Sequence, residues 1–192
     1  MGAAAVSVLP NLLSWLRLLA APAVVWLLLD RHFTPAFWLF LVAGLSDLAD
    51  GWLAKRLNAH TEFGARLDPV ADKALVGAVY FALGWIGLIP LWLVVMVVAR
   101  DIAIVVGVGV LLASRRPLKA RPLTISKVNT GLQLALVVVV LARAALDGSD
   151  GGVLSLIVAV LVVAAAGTTA LSWWAYAMEW SRIMATRAEQ AR

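Results

Sequence analysis

The chain has 192 residues, 63% of them hydrophobic and 14% charged, with a mean hydropathy of +0.94 and a net charge of +5. That composition excludes an ordinary soluble domain, and the lack of cysteine excludes disulfides and thiolate metal sites. The positive charge does not point to nucleic acid, because no basic stripe with interleaved aromatics accompanies it; Lys and Arg at membrane edges, facing anionic lipid, account for it.

A spanning helix needs roughly 20 mainly apolar residues. Six such runs follow one another, at about 9–30, 34–58, 65–87, 90–114, 124–146 and 152–179. They predict an all-α bundle of six transmembrane helices, one membrane domain over 1–192. The first run carries Arg17 and lacks a basic leader, so it reads as a mature helix rather than a signal peptide. Asn11, Ser14 and Arg17 are spaced three apart and can address one cavity. Facing lipid, Arg17 would be costly; a diphosphate or an aspartate offsets that cost, and snorkelling to the interface is the plainer alternative.

Between the second and third runs lies DLADGWLAKRLNAHTEFGARLDPVADK, from Asp47 to Lys73. Asp47, Asp50, Gly51 and Ala54 fall at i, i+3, i+4 and i+7, one stripe of a helix. Asp68 and Asp72 stand four apart, with Gly64 one turn earlier. A set of carboxylate oxygens suits a hard cation such as Mg²⁺, Mn²⁺ or Ca²⁺, and Mg²⁺ sites are often completed by phosphate. The small residues leave room for a ligand beside the backbone. The plainer alternative is a collar of ion pairs with Lys55, Arg56, Arg66 and Lys73. His32 and His60 lie outside any zinc-ligand spacing.

In the fourth run Arg100 and Asp101 are either a pair inside the bundle or a contact for a lipid phosphate. The fifth opens TISKVNTGLQ, where Lys127, Thr130 and Gly131 share a stripe with Gln133 nearby. Lys127 reads equally as a topology marker and as a phosphate contact. Trp173, Trp174, Tyr176 and Trp180 form an aromatic belt or a dimer contact near the end of the sixth run. The tail SRIMATRAEQAR reads as a short solvated extension.

Loop charges give the orientation. Lys55, Arg56, Arg66, Arg115, Arg116, Lys119, Arg121, Lys127, Arg182, Arg187 and Arg192 fall on one side, against Arg31 and Arg143 on the other. The positive-inside rule then places both termini, and the aspartates, on the cytoplasmic side.

The run from Asp47 to Asp72 resembles the signature of the CDP-alcohol phosphotransferases, D-x2-D-G-x2-A-R-x8/9-G-x3-D-x3-D. Every fixed position matches but one: Lys55 stands where the family usually has Arg, keeping the charge and losing the bidentate fork. The segment from Pro10 through Asn11, Ser14 and Arg17 to Pro22 resembles the family's first helix. The resemblance implies a membrane enzyme of six helices, usually a homodimer, with Asp47, Asp50, Asp68 and Asp72 holding two divalent ions. It implies Asp72 as general base. It also implies a CDP site formed by Asn11, Ser14, Arg17, Asp47, Gly51, Ala54, Lys55, Gly64 and Asp68, and an acceptor-phosphate site at Arg66, Arg100 and Lys127.

The flanks ARDIAIVVG and SKVNTGLQ resemble the branch that makes cardiolipin from CDP-diacylglycerol and phosphatidylglycerol. Phosphatidylglycerophosphate synthases, which take glycerol 3-phosphate, more commonly show Lys-x-Lys-Thr where this chain has Asn129 in place of the second Lys. One charge fewer suits a bridging phosphate better than a dianion. A rival from another class is a small cation transporter, which would favour carboxylates near the midplane and inverted repeats. A bacterial inner membrane is compatible with the absence of cysteine.

Overall fold

The computed structural model describes residues 19–57, 75–113, 124–146 and 152–190, with backbone alone over 47–57, 107–113 and 182–190 and at 124 and 179. Six helical segments and no strand occur among the described residues. They are α1 (described over Leu19–Leu29), α2 (Phe33–Leu57), α3 (described over Leu75–Trp85), α4 (Leu91–Ala113), α5 (Thr124–Ala145) and α6 (Val153–Gln190). Two stretches among these residues, Ile125–Ala145 and Val153–Met178, are long and apolar enough to cross a membrane.

The turns explain where the helices stop. At the end of α1, the His32 amide donates to the Leu27 carbonyl at 2.8 Å and the Arg31 amide to that of Leu28 at 3.1 Å. At the end of α3, Leu88 and Gly87 repeat the pattern onto Leu83 and Gly84, at 2.9 and 3.2 Å. Both are Schellman motifs, whose penultimate residue takes the left-handed conformation. Gly87 does so freely at φ 79, whereas Arg31 is held at φ 60. A left-handed non-glycine residue costs about 1–2 kcal/mol. Two substitutions should therefore act with opposite sign: Arg31→Gly stabilises by about 1 kcal/mol, and Gly87→Ala destabilises by about the same. Thermal midpoints of the detergent-solubilised protein measure both. Gly84 has a separate reason to be small, since a Cβ there would stand 2.6 Å from Val94 Cγ2. The α3–α4 hairpin closes onto that position.

α5 packs against α2 and α6, and α6 also against α4. The core joins Val24 and Leu28 of α1, Phe40 of α2, Val79 and Leu83 of α3, Leu93 and Val97 of α4, Leu136 and Leu141 of α5, and Ala165 of α6. What lies outside this core is unusual for a soluble protein. Trp26, Trp38, Trp85, Trp92, Val160, Val163 and Trp174 are exposed, while Arg100, Asn129, Gln133, Thr169 and Ser172 are buried. An apolar exterior around buried polar groups is the arrangement a bilayer-embedded bundle requires.

The expected spans agree with α2, α4 and α5 to within one residue at each described end; the outer parts of the first and third expected spans lie outside the described residues. The tail differs. Instead of ending near 179, α6 continues as helix to Gln190. Beyond Gly167 it contains neither glycine nor proline, and Met, Ala, Arg, Glu and Gln are strong helix formers, so nothing stops it.

Candidate active site

α2 is uninterrupted through Leu57, so Asp47, Asp50, Gly51, Ala54 and Lys55 all lie on one helix. The spacing of the first four then puts them along one stripe of that helix. Asp47 falls about 21 Å along α2 from Phe33, at 1.5 Å per residue. Asn11, Ser14, Arg17, Gly64, Arg66, Asp68 and Asp72 lie outside the described residues, Asp72 three positions before the described start of α3. Among the described residues there is no group of three or more Asp, Glu or His side chains that could hold a metal.

Two of the expected site residues have described side chains, Arg100 and Lys127, and the structure brings their neighbourhoods together. Arg100 is 2% exposed, the largest fully buried side chain among the described residues. Its Nη1 donates to Asp101 Oδ1 at 2.6 Å, and Nη2 donates to Ser126 Oγ at 2.5 Å and Ser172 Oγ at 2.9 Å. Nε also points to Ser172 Oγ, at 3.2 Å, and the guanidinium carbon sits 5.8 Å from the centre of the Tyr176 ring. One side chain of α4 thus grips the first turn of α5 and the middle of α6. Lys127, the next residue after Ser126, is exposed. Tyr176, expected in an aromatic belt or a dimer contact, lies against Arg100; Trp174 is 63% exposed, and Trp173 donates to the Met96 carbonyl of α4 at 3.5 Å.

A neutral polar seam continues from Arg100 between α5 and α6. Asn129 Oδ1 lies 2.8 Å from both Thr168 Oγ1 and Thr169 Oγ1. Further along α5, the Tyr80 hydroxyl of α3 donates to the Gln133 carbonyl at 3.2 Å. The Asn129 and Gln133 side-chain nitrogens have no partner as placed. For Asn129 the hydroxyl chemistry points to a better pairing. Thr168 has one hydrogen and also reaches the Ala164 carbonyl at 2.9 Å. Donated there, that hydrogen leaves Oγ1 free to accept, and a rotated Asn129 amide then gives Nδ2 to both threonines. Either way Asn129, with no exposed surface, joins α5 to α6 rather than facing a headgroup.

Sequence reasoning singled out Arg100, Lys127 and Asn129 but not Ser126, Thr168, Thr169, Ser172 or Tyr80. A usable signal existed: Ser126, Asn129 and Gln133 recur at i, i+3 and i+7, and Thr168, Ser172 and Tyr176 at i, i+4 and i+8. Each series marks one helix face inside an otherwise apolar run.

The CDP-alcohol phosphatidyltransferase family model matches residues 7–171, which takes in every residue of the aspartate signature. The chain is 35% identical over 184 residues to a CMP-forming cardiolipin synthase of Rattus norvegicus, covering 88% of this chain and 60% of the rat protein. It is 38% identical over 109 residues to a CMP-forming cardiolipin synthase of Streptomyces coelicolor, covering 54% of this chain and 51% of that protein. It is also 36% identical over 152 residues to the chloroplastic CDP-diacylglycerol--glycerol-3-phosphate 3-phosphatidyltransferase 1 of Oryza sativa, covering 70% of this chain and 46% of the rice protein. The chain therefore spans less than two thirds of the length of each of these relatives.

Proposed function

The chain belongs to the CDP-alcohol phosphatidyltransferase family, and from that premise we propose that it transfers a phosphatidyl group from CDP-diacylglycerol to phosphatidylglycerol, releasing CMP and cardiolipin. The observation that carries this reading is the aspartate signature from Asp47 to Asp72, inside a chain whose relatives in rat and Streptomyces are CMP-forming cardiolipin synthases. We extend it to a six-helix membrane protein, a homodimer by family analogy, with the aspartates at the cytoplasmic face of a bacterial inner membrane.

The donor set fits a hard divalent cation: Asp47, Asp50, Asp68 and Asp72 supply only carboxylate oxygens, and the first two sit one turn apart on the continuous α2. Two Mg²⁺ or Mn²⁺ ions held there would offset the charge of the diphosphate and of the departing CMP. Asp72 takes the proton of the acceptor hydroxyl as that oxygen bonds to the β-phosphorus and the bond to CMP breaks. Gly51, Ala54 and Gly64 leave space for the nucleotide. Lys55, with Asn11, Ser14 and Arg17, addresses its phosphates and base. Arg66 and Lys127 are the cations for the acceptor phosphate, and Arg100 bonds to Ser126, the residue before Lys127.

Glycerol 3-phosphate is the second candidate acceptor, favoured by the similarity to the rice enzyme. The deciding experiment gives purified protein CDP-diacylglycerol, Mg²⁺ or Mn²⁺, and either phosphatidylglycerol or glycerol 3-phosphate, and follows CMP. Release with phosphatidylglycerol is expected. Release only with glycerol 3-phosphate would rename the acceptor, and no CMP with either would leave a cation transporter as the better reading. Chelation with EDTA should lower CMP release at least about a hundredfold, given a charge-stabilising role worth several kcal/mol. Added Mg²⁺ or Mn²⁺ should restore it. Activity that survives exhaustive chelation would remove the metal from the scheme.

A further inference from the structure

From sequence, Arg100 reads as either a pair with Asp101 inside the bundle or a contact for the acceptor phosphate; the pair is present at 2.6 Å, and the position of Arg100 among serines supports a further role. We propose that Arg100 is a positioning residue: through Ser126 it fixes the first turn of α5, and so the placement of Lys127 for the acceptor headgroup. The inference rests on the proposed acceptor role of Lys127.

Three observations support it. First, Nε, Nη1 and Nη2 are all directed at protein oxygens, and the Asp101 carboxylate balances the charge at 2.6 Å. A guanidinium paired in this way offers a phosphate little net attraction. Second, Ser126 is the third residue of α5, within the turn whose amides have no intrahelical acceptor and which frays most readily. Arg100 ties that turn to Ser172 of α6, deep in a helix that runs on to Gln190. Thr130 Oγ1 donates back to the Ser126 carbonyl at 3.1 Å, which stitches the first turn to the second. Third, Lys127 and Val128 next to Ser126 are exposed, so they depend on the fixed turn rather than on packing for their position.

The chain has no cysteine, which permits a direct structural readout. Val128→Cys places a single thiol at a site that is 49% exposed, and a water-soluble maleimide then reports the freedom of the turn. Ser126→Ala and Arg100→Lys are compared in this background for labelling rate, and in the otherwise unmodified chain for steady-state kinetics and thermal midpoint. Losing a hydrogen bond to a charged group should raise the labelling rate and the KM for phosphatidylglycerol about tenfold in both variants. The KM for CDP-diacylglycerol should stay within about twofold, since α2 is untouched.

If Arg100→Lys raises the acceptor KM while Ser126→Ala leaves it and the labelling unchanged, Arg100 touches the phosphate itself and the proposal is wrong. If both variants lower the thermal midpoint with labelling rate and both KM values unchanged, the cluster only packs helices, and the proposal is again wrong. Should the wild-type chain release no CMP with phosphatidylglycerol, the cardiolipin reading fails on its own, and the labelling arm still decides whether Arg100 fixes the turn.

Discussion

Asp72→Asn should retain CDP-diacylglycerol binding and lose about 10²- to 10⁴-fold in kcat, the range that a positioned general base contributes. The substitution keeps the shape of the side chain and one carbonyl oxygen, but an amide cannot take the proton of an alcohol. Asp47→Asn should behave differently, because Asp47 is assigned only to metal and nucleotide: donor affinity should fall with turnover and recover in part at raised Mg²⁺. Donor binding by titration calorimetry and single-turnover CMP release separate the two patterns. Near wild-type turnover in Asp72→Asn would end the general-base assignment, and equal loss of donor binding in both variants would reduce Asp72 to a ligand like the others.

Arg100→Leu should destabilise the protein by about 1.5–3 kcal/mol, the cost of losing the hydrogen bonds of a buried charged group. The change leaves the Asp101 carboxylate without the guanidinium at 2.6 Å, and it removes the donors to Ser126 and Ser172 and the contact with the Tyr176 ring. Replacing both partners is gentler than replacing one, since a well-packed apolar pair leaves no carboxylate facing the vacated guanidinium position. The double variant Arg100→Leu/Asp101→Leu should therefore recover part of the loss. Reversible denaturation in mixed micelles measures both; a cost below about 1 kcal/mol for the single variant would mean that water reaches the site and screens the pair.

The elements readable from sequence were those with a local cause. α2, α4 and α5 lie where the hydropathy pattern placed them: Pro90 precedes α4, Asp147 and Gly148 follow α5, and basic residues flank the other boundaries. α6 runs past its expected end because basic residues signal solvent and not the end of a helix, and Met184 to Gln190 favours helix as strongly as any apolar stretch. The aspartates were legible from their spacing and the family signature; α2 is continuous through Asp47 and Asp50 as that spacing needs, and Asp68 and Asp72 lie outside the described residues. The serines and threonines around Arg100 and Asn129 were not. In an apolar helix a serine or threonine can satisfy its own hydroxyl by bonding back four residues, as Thr168 can to Ala164, so its presence does not announce a partner on another helix. Asn129 read as a missing charge near the headgroup because the comparison was with a Lys at that position. Its meaning came only from the two threonines of α6 that face it.

The polar seam under an apolar exterior also has a calorimetric consequence. Within lipid or detergent, parting α4, α5 and α6 would transfer apolar side chains from protein to hydrocarbon, not to water, so the hydration change behind a large unfolding heat capacity is mostly absent. The curve of stability against temperature should then be shallow, without the low-temperature downturn of water-soluble domains. Heating would act mainly on the hydrogen bonds of Arg100 and Asn129, which makes those two side chains the thermal fuse of the bundle.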